Sequence, residues 1–213
     1  DEIKAVLEGK VEQLVLVNCC DSMRRVYDIV ESTGKCKFLY MLDMPHEDND
    51  CEKVKLAQGI HRLKKAYEKF SGKTFDKSGF LNAFSYEDVD NQPYIGVLGV
   101  RVSGVLEKMI RDNIQMDVDN LTCTGGRQLA VVPEQMRQMD EEKMFLAYAD
   151  ALLCQIPCFR MNNNTRRNQL YLDPNLKGII YHTIKFCDYY GFEYASIKKN
   201  IKVPLLKIET DFT

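Results

Sequence analysis

The stretch QLVLVNCCDSMRRVYDIVESTGKCKFLYMLD, residues 13–43, decides the fold. Leu14-Val15-Leu16-Val17 is an apolar run too short for a helix and rich in branched residues, so it reads as a buried strand. Asn18, Asp21 and Ser22 follow with helix-capping chemistry. Met23, Val26, Tyr27 and Val30 then recur at a helical step, and Gly34 offers a left-handed stop. Lys37-Phe38-Leu39-Tyr40-Met41-Leu42 reads as a second strand, closed by Asp43 and Pro45. Strand, helix and strand in this order favour a right-handed crossover and parallel pairing.

Working outward, residues 49–70 carry a charged helical pattern with Val54, Ala57, Ile60, His61, Lys64 and Tyr67 at three- and four-residue steps. Ser71-Gly72 stops it. The polar, weakly patterned segment from Lys73 to Gln92 reads as a domain boundary. A second unit opens at Pro93, with a strand over Tyr94–Val100, a Ser103-Gly104 turn and a helix over Val105–Arg111. A helix from Asp140 to Ile156 ends at Pro157. Strands follow at Gly178–Phe186 and Val203–Ile208, with a helical stretch around Glu193–Lys199 between them. The fold class is therefore α/β, with two Rossmann-like (flavodoxin-like) parallel-sheet units. Residues 1–47 form part of the first unit, 48–92 a helical linker, and 93–213 the second unit.

Composition limits the function. The 213 residues are 45% hydrophobic and 28% charged, which is globular rather than disordered. Lys and Arg number 29 against 31 Asp and Glu, so no basic excess suggests a nucleic acid. No stretch approaches the roughly 18 apolar residues of a membrane span. The opening residues DEIKAVLEGK hold neither an initiator Met nor a signal peptide's apolar core, and read as an internal start.

Eight cysteines, at 19, 20, 36, 51, 123, 154, 158 and 187, are the compositional outlier. They stand among long helix and strand patterns, which argues for a reducing, cytoplasmic setting rather than a disulfide scaffold. There is no C-x-x-C pair and no zinc-type spacing. Cys19-Cys20 and Cys187 each follow a strand directly and precede a helix, where open α/β sheets bind ligands and where helix ends favour thiolate. Two such thiols, one per unit, are placed to meet across an interdomain cleft. Soft thiolates from distant segments suit an iron–sulfur cluster; the alternative reading is a set of buried, inert thiols.

Six motifs carry a resemblance. They are Asn18-Cys19-Cys20-Asp21-Ser22-Met23-Arg24-Arg25, Leu42-Asp43-Met44-Pro45-His46, Leu121-Thr122-Cys123-Thr124-Gly125-Gly126-Arg127, Ile156-Pro157-Cys158-Phe159-Arg160-Met161, Tyr181-His182-Thr183-Ile184-Lys185-Phe186-Cys187-Asp188 and Pro204-Leu205-Leu206-Lys207-Ile208-Glu209-Thr210-Asp211. In this order, from about residue 12 onward, the chain resembles the 2-hydroxyacyl-CoA dehydratase family, which includes benzoyl-CoA reductase subunits and double-cubane iron–sulfur proteins.

The resemblance implies two Rossmann-like domains and a [4Fe-4S] cluster on three cysteines. Cys20 and Cys187 match two of them, and the other falls upstream of Asp1. It implies an iron–sulfur (R)-2-hydroxyacyl-CoA dehydratase subunit, which eliminates water from its acyl-CoA substrate through a ketyl radical. An ATP-dependent iron–sulfur activator protein supplies the electron, and a homologous second subunit completes a heterodimer. The alternatives are a benzoyl-CoA-reductase-type or double-cubane reductase subunit, or a catalytically silent partner subunit. The double-cubane branch expects a cysteine in the Gly99–Gly104 turn, where Val100-Arg101-Val102-Ser103 stand, and another near Arg160, which favours a single cluster. The segment between Thr74 and Pro93 is short for the family, and its C-terminal helix after Asp211 is missing.

Other residues carry two readings each. Cys123, before Gly125-Gly126, and Cys158, after Pro157, are second-tier metal candidates or structural thiols. His182 reads as a hydrogen-bonded interior residue or a proton carrier. Glu209 reads as a base or a cap. Arg160 and Arg166, with Arg167, read as a phosphate-binding group for coenzyme A or a solvated loop. Ser103 and Gly104 are placed to contact the rest of coenzyme A.

Overall fold

The computed structural model describes residues 2–84, 92–123, 125, 129, 132–155, 158, 160–185 and 187–211, without the side chains of Glu2 and Arg166. In chain order the first elements are α1 (Glu2–Leu7), β1 (Gln13–Asn18), α2 (Asp21–Thr33), β2 (Phe38–Asp43), α3 (Asp50–Ser71) and α4 (Lys77–Asn82). Then come β3 (Tyr94–Gly99), α5 (Gly104–Asn113), β4 (Asp117–Asn120), α6 (Pro133–Arg137) and α7 (Glu141–Cys154). The chain continues with α8 (Thr165–Leu170), β5 (Leu176–Ile184), α9 (Asp188–Ile197) and β6 (Leu205–Thr210). Contacts group Asp1–Ser85 with Val131–Leu153 as one compact unit, and Tyr86–Ala130 with Cys154–Thr213 as the other. Among the described residues, no helix is long and apolar enough to cross a membrane.

In the first unit β1 and β2 pair in parallel, from Gln13 against Phe38 to Asn18 against Asp43. The expected strand–helix–strand order is present. The cap of α2 differs from expectation: the N-cap is Cys20, in extended conformation, and its carbonyl accepts from the amides of Met23 and Arg24. Asn18 is held elsewhere, donating to Asp43 at 2.8 Å and accepting from Arg24 Nε at 2.6 Å. Gly34 closes α2 with φ 62°. Helix α3 runs from an Asn49 cap, whose side chain accepts from the Glu52 amide, to Gly72 at φ 68°. Its Leu56, Ala57 and Ile60 are buried. The returning segment packs rings into this unit: Phe145 lies 5.5 Å from Phe75, and Tyr148 lies 5.2 Å from Phe80.

The second unit is a four-stranded, all-parallel sheet in the order β4-β3-β5-β6. Its buried core gathers Tyr94, Leu98, Leu176, Ile179 and Tyr181 with Tyr190 and Ile197 of α9. On the other cluster Val97, Ile110, Val118 and Ile180 pack together. Strand β4 and the short helices α6 and α8 carry no readable pattern. Asp117-Val118-Asp119-Asn120 has one apolar side chain, and it forms a strand only because β3 lies beside it. Helix α9 starts at Asp188, not near Glu193. Its solvent face carries Tyr189 and Phe192, 50% and 68% exposed, which blurs the helical period. Strand β6 begins at Leu205, after a proline whose carbonyl accepts from the Ile179 amide. Helix α7 ends at Cys154, short of the expected Ile156, and strand β5 ends at Ile184, short of the expected Phe186.

The strand order reverses between β3 and β5, so the carboxyl ends of these two strands form the topological switch point. The backbone there is tightly specified. Gly99 ends β3 at φ 95°, and a Cβ on it would stand 2.0 Å from the His182 carbonyl oxygen. By contrast, a Cβ on Gly104 would meet nothing within 4 Å. Gly99→Ala is therefore expected to lower stability by at least about 2 kcal/mol in urea unfolding. Gly104→Ala stays within about 0.5 kcal/mol of the parent. Equal effects of the two would contradict this account.

Candidate functional site

The carboxyl ends of all four strands of the second unit are tied together. The Val100 amide donates to the His182 carbonyl at 3.0 Å, and the Cys123 amide donates to the Gly99 carbonyl at 3.2 Å. His182 is buried, at 3% exposure. Its Nδ1 lies 3.1 Å from the Val100 carbonyl and its Nε2 lies 2.9 Å from Thr210 Oγ1. A carbonyl only accepts, so Nδ1 carries a proton, and in the neutral ring Nε2 accepts from the threonine hydroxyl. Both nitrogens thus serve to join β5 to the ends of β3 and β6, as the interior-residue reading expects.

On this frame stand the candidate side chains. Cys187 is the N-cap of α9, one residue before Asp188, and is partly buried. Its amide donates to the Ile184 carbonyl, and its own carbonyl accepts from Gly191. Cys158 is also partly buried, and both border the apolar cluster that holds Tyr190. The Tyr190 hydroxyl donates to Cys158 Sγ at 3.3 Å. Burial pushes the Tyr190 hydroxyl well above the ordinary tyrosine value, and charge on Cys158 and on Cys123 adds to the shift. The structure therefore brings Cys158 to a hydroxyl three residues along α9 from Cys187, whereas Cys123 is exposed. Among the described residues, no group of three or more His, Cys, Asp or Glu is gathered as a metal site. Gly126, beside Cys123, lies outside the described residues.

Ser103 caps α5, its Oγ accepting from the Leu106 amide at 3.2 Å, and both it and Gly104 are exposed. Glu209 is exposed and accepts from Lys207 at 2.6 Å and from Thr183 Oγ1 at 3.4 Å. The Lys207 ammonium holds its carboxyl below the usual range, which weakens it as a base. The arginines do not form one exposed group. Arg160 is buried at 9% exposure, and Arg167 at 1%. The Arg166 side chain lies outside the described residues. In the first unit, Cys20 is partly buried and caps α2 directly beyond the carboxyl end of β1.

Pattern reading missed the polar cluster under α9. The Arg167 guanidinium donates from Nε and, at 2.6 Å, from Nη2 to the Glu193 carboxylate, itself 2% exposed. Tyr171 donates to the same carboxylate at 2.7 Å, and Tyr181 donates to its other oxygen. Burial opposes the charge on Arg167, but the hydrogen bonds and charge of Glu193 outweigh it and hold the guanidinium protonated. The only signal in the sequence is the four-residue spacing of Arg167 and Tyr171, inside a segment too short to show a period.

Two parallel sheets with helical crossovers, the larger reversing its strand order between β3 and β5, define an α/β protein of Rossmann-like units. A family model described as 2-hydroxyglutaryl-CoA dehydratase, D-component, matches residues 2–92 and 86–213. The chain belongs to that family. No curated protein matches it.

The buried and partly buried tyrosines give the second unit a pH signature. Burial raises Tyr94, Tyr171, Tyr181 and Tyr190, with a hydrogen bond to Asp173 also acting on Tyr94, and with Glu193 also acting on Tyr171 and Tyr181. A raised folded value gives stability that is complete below about pH 10, where unfolded tyrosine ionises, and that falls as pH climbs past it. Thermal midpoints are expected to hold to about pH 9 and drop steeply above pH 10. Absorbance at 295 nm should show these four rings ionising only with unfolding; free titration of all 11 tyrosines in the folded chain would refute the burial argument.

Proposed function

We propose that the chain is a subunit of an iron–sulfur (R)-2-hydroxyacyl-CoA dehydratase in which Cys20 and Cys187 supply two of the thiolates of a [4Fe-4S] cluster. The observation that carries this reading is that the two cysteines hold the same structural position. Each caps a helix of at least ten residues directly beyond the carboxyl end of a parallel strand. The N-terminal amides of such a helix favour thiolate over thiol and accept an anionic group, so the donor chemistry fits a cluster. The family description names a dehydratase component, which supports a partner subunit in a multi-component system.

When bound, such a cluster supplies one-electron chemistry to a thioester, which makes loss of water from the 2-hydroxyacyl group possible by way of a ketyl radical. The electron comes from an ATP-dependent activator protein. The chain's own residues set the surroundings. Ser103 and Gly104, exposed at the start of α5, are proposed contacts for coenzyme A. His182 keeps the strand ends in register. Cys158, held by the Tyr190 hydroxyl, and exposed Cys123 are the next sulfur donors proposed.

The test is iron and acid-labile sulfide, with the visible and EPR spectra, on protein purified without oxygen, and on Cys20→Ala and Cys187→Ala. The expected outcome is about four irons per chain, lost in both variants. About eight irons would replace this reading with a double cubane involving Cys123 and Cys158. A folded, iron-free protein would leave a catalytically silent partner subunit.

A further inference from the structure

We propose that Glu193, through its buried pairing with Arg167, is a positioning residue for Cys187. The inference deepens the reading above, in which Cys187 is a metal ligand. Both residues belong to α9, Cys187 as its cap and Glu193 six residues later, about 9 Å along the helix axis. Where the cap lies therefore depends on what holds the body of the helix.

The body is held from two other elements. Arg167 comes from α8, Tyr171 from its C-terminal end, and Tyr181 from β5, and all three donate to the one carboxylate of Glu193. One turn closer to Cys187, Tyr190 is fixed by the same arginine. The guanidinium lies 5.6 Å from its ring centroid, and its hydroxyl reaches Cys158 Sγ at 3.3 Å. Positions 190 and 193 are thus both anchored, which sets the rotation of the first turn as well as its height.

Apolar packing alone would not do this as narrowly. Ile197 and Tyr190 press α9 onto the core, but hydrophobic contacts allow small sliding and repacking. A forked guanidinium–carboxylate pair with further hydroxyl donors has essentially one geometry. A buried ion pair gives little net stability over an apolar pair of equal volume, so its distinctive product is a single arrangement. Here the arrangement it selects is that of the helix whose cap is Cys187.

The test measures iodoacetamide alkylation of the iron-free chain by mass spectrometry, taking the rate at Cys187 relative to exposed Cys51, which lies in the other unit. The variant is Arg167→Met with Glu193→Met together, which keeps the volume and leaves no charge unpaired. We expect the Cys187 to Cys51 ratio to rise by at least about fivefold, as the first turn of α9 loosens, while the thermal midpoint falls no further than in Ile197→Ala even though the Tyr171 and Tyr181 hydroxyls lose their acceptor. Ile197→Ala is the structural control. It removes packing from the same helix, lowers the midpoint and should leave the ratio within about twofold. A folded double variant with an unchanged ratio would overturn the proposal, as would an equal rise in Ile197→Ala. A double variant that does not fold would overturn it too, since the pair would then be needed for folding rather than placement. Failure of the cluster reading is separate, because it appears in the iron content of the unmodified protein.

Discussion

The carbonyl oxygen of His182 occupies the space where residue 99 would carry a side chain. That close approach lets the end of β3 fold over the end of β5. The Val100 amide can then reach the His182 carbonyl, and the His182 ring can reach both the Val100 carbonyl and Thr210. Everything proposed for the second unit stands on this joint. Ser103 begins its helix four residues after Gly99, and Cys187 caps its own five residues after His182. A bulkier residue at 99 would move both loops apart at their roots.

The two units reach the same local solution with different sequences. In each, a parallel strand ends and a cysteine in place of the usual Ser, Asp or Asn caps the following helix. A thiol is a poor hydrogen-bond acceptor compared with those side chains, so stability alone would not select it. At Cys20 better capping groups stand within two residues, at Asn18, Asp21 and Ser22, yet Asn18 is committed to Asp43 and Arg24. The N-cap position is left to a cysteine whose sulfur makes no capping hydrogen bond. Under the proposed reading, that local cost is offset by the ligand chemistry of the thiol.

What was legible in the sequence followed from strength of pattern. Buried parallel strands announce themselves as short apolar runs, so β1, β2, β3 and β5 could be read, and Gly34 and Gly72 marked their helix ends through their left-handed conformation. Strand β4 was not legible, because Asp117 and Asp119 oppose a strand and only the neighbouring β3 makes it one. The start of α9 was blurred by Tyr189 and Phe192, apolar residues on a wet face. Cys20 and Cys187 could be picked out because the adjoining strands place them. Glu193 and Arg167 could not, since 26 residues separate them and a buried ion pair has no sequence period. The basic group read from Arg160, Arg166 and Arg167 looked like a surface feature, but Arg167 is committed to an internal carboxylate.

The first unit is not continuous in the chain. Its two-stranded sheet and long helix come from Asp1–Ser85, yet Phe145 and Tyr148, which meet Phe75 and Phe80, arrive only with Val131–Leu153. Residues 1–85 supply α1–α4 and a sheet of only two strands, and their Phe75 and Phe80 rings are covered by that later segment. During synthesis the N-terminal part must therefore wait, its aromatic face open, until more than sixty further residues have left the ribosome. The strand β3, helix α5 and strand β4 of the other unit emerge within that interval, before β5 exists to pair with β3. The two halves mature by interleaving rather than in succession, and the nascent chain is most exposed to aggregation and chaperone capture while residues 86–130 are being added.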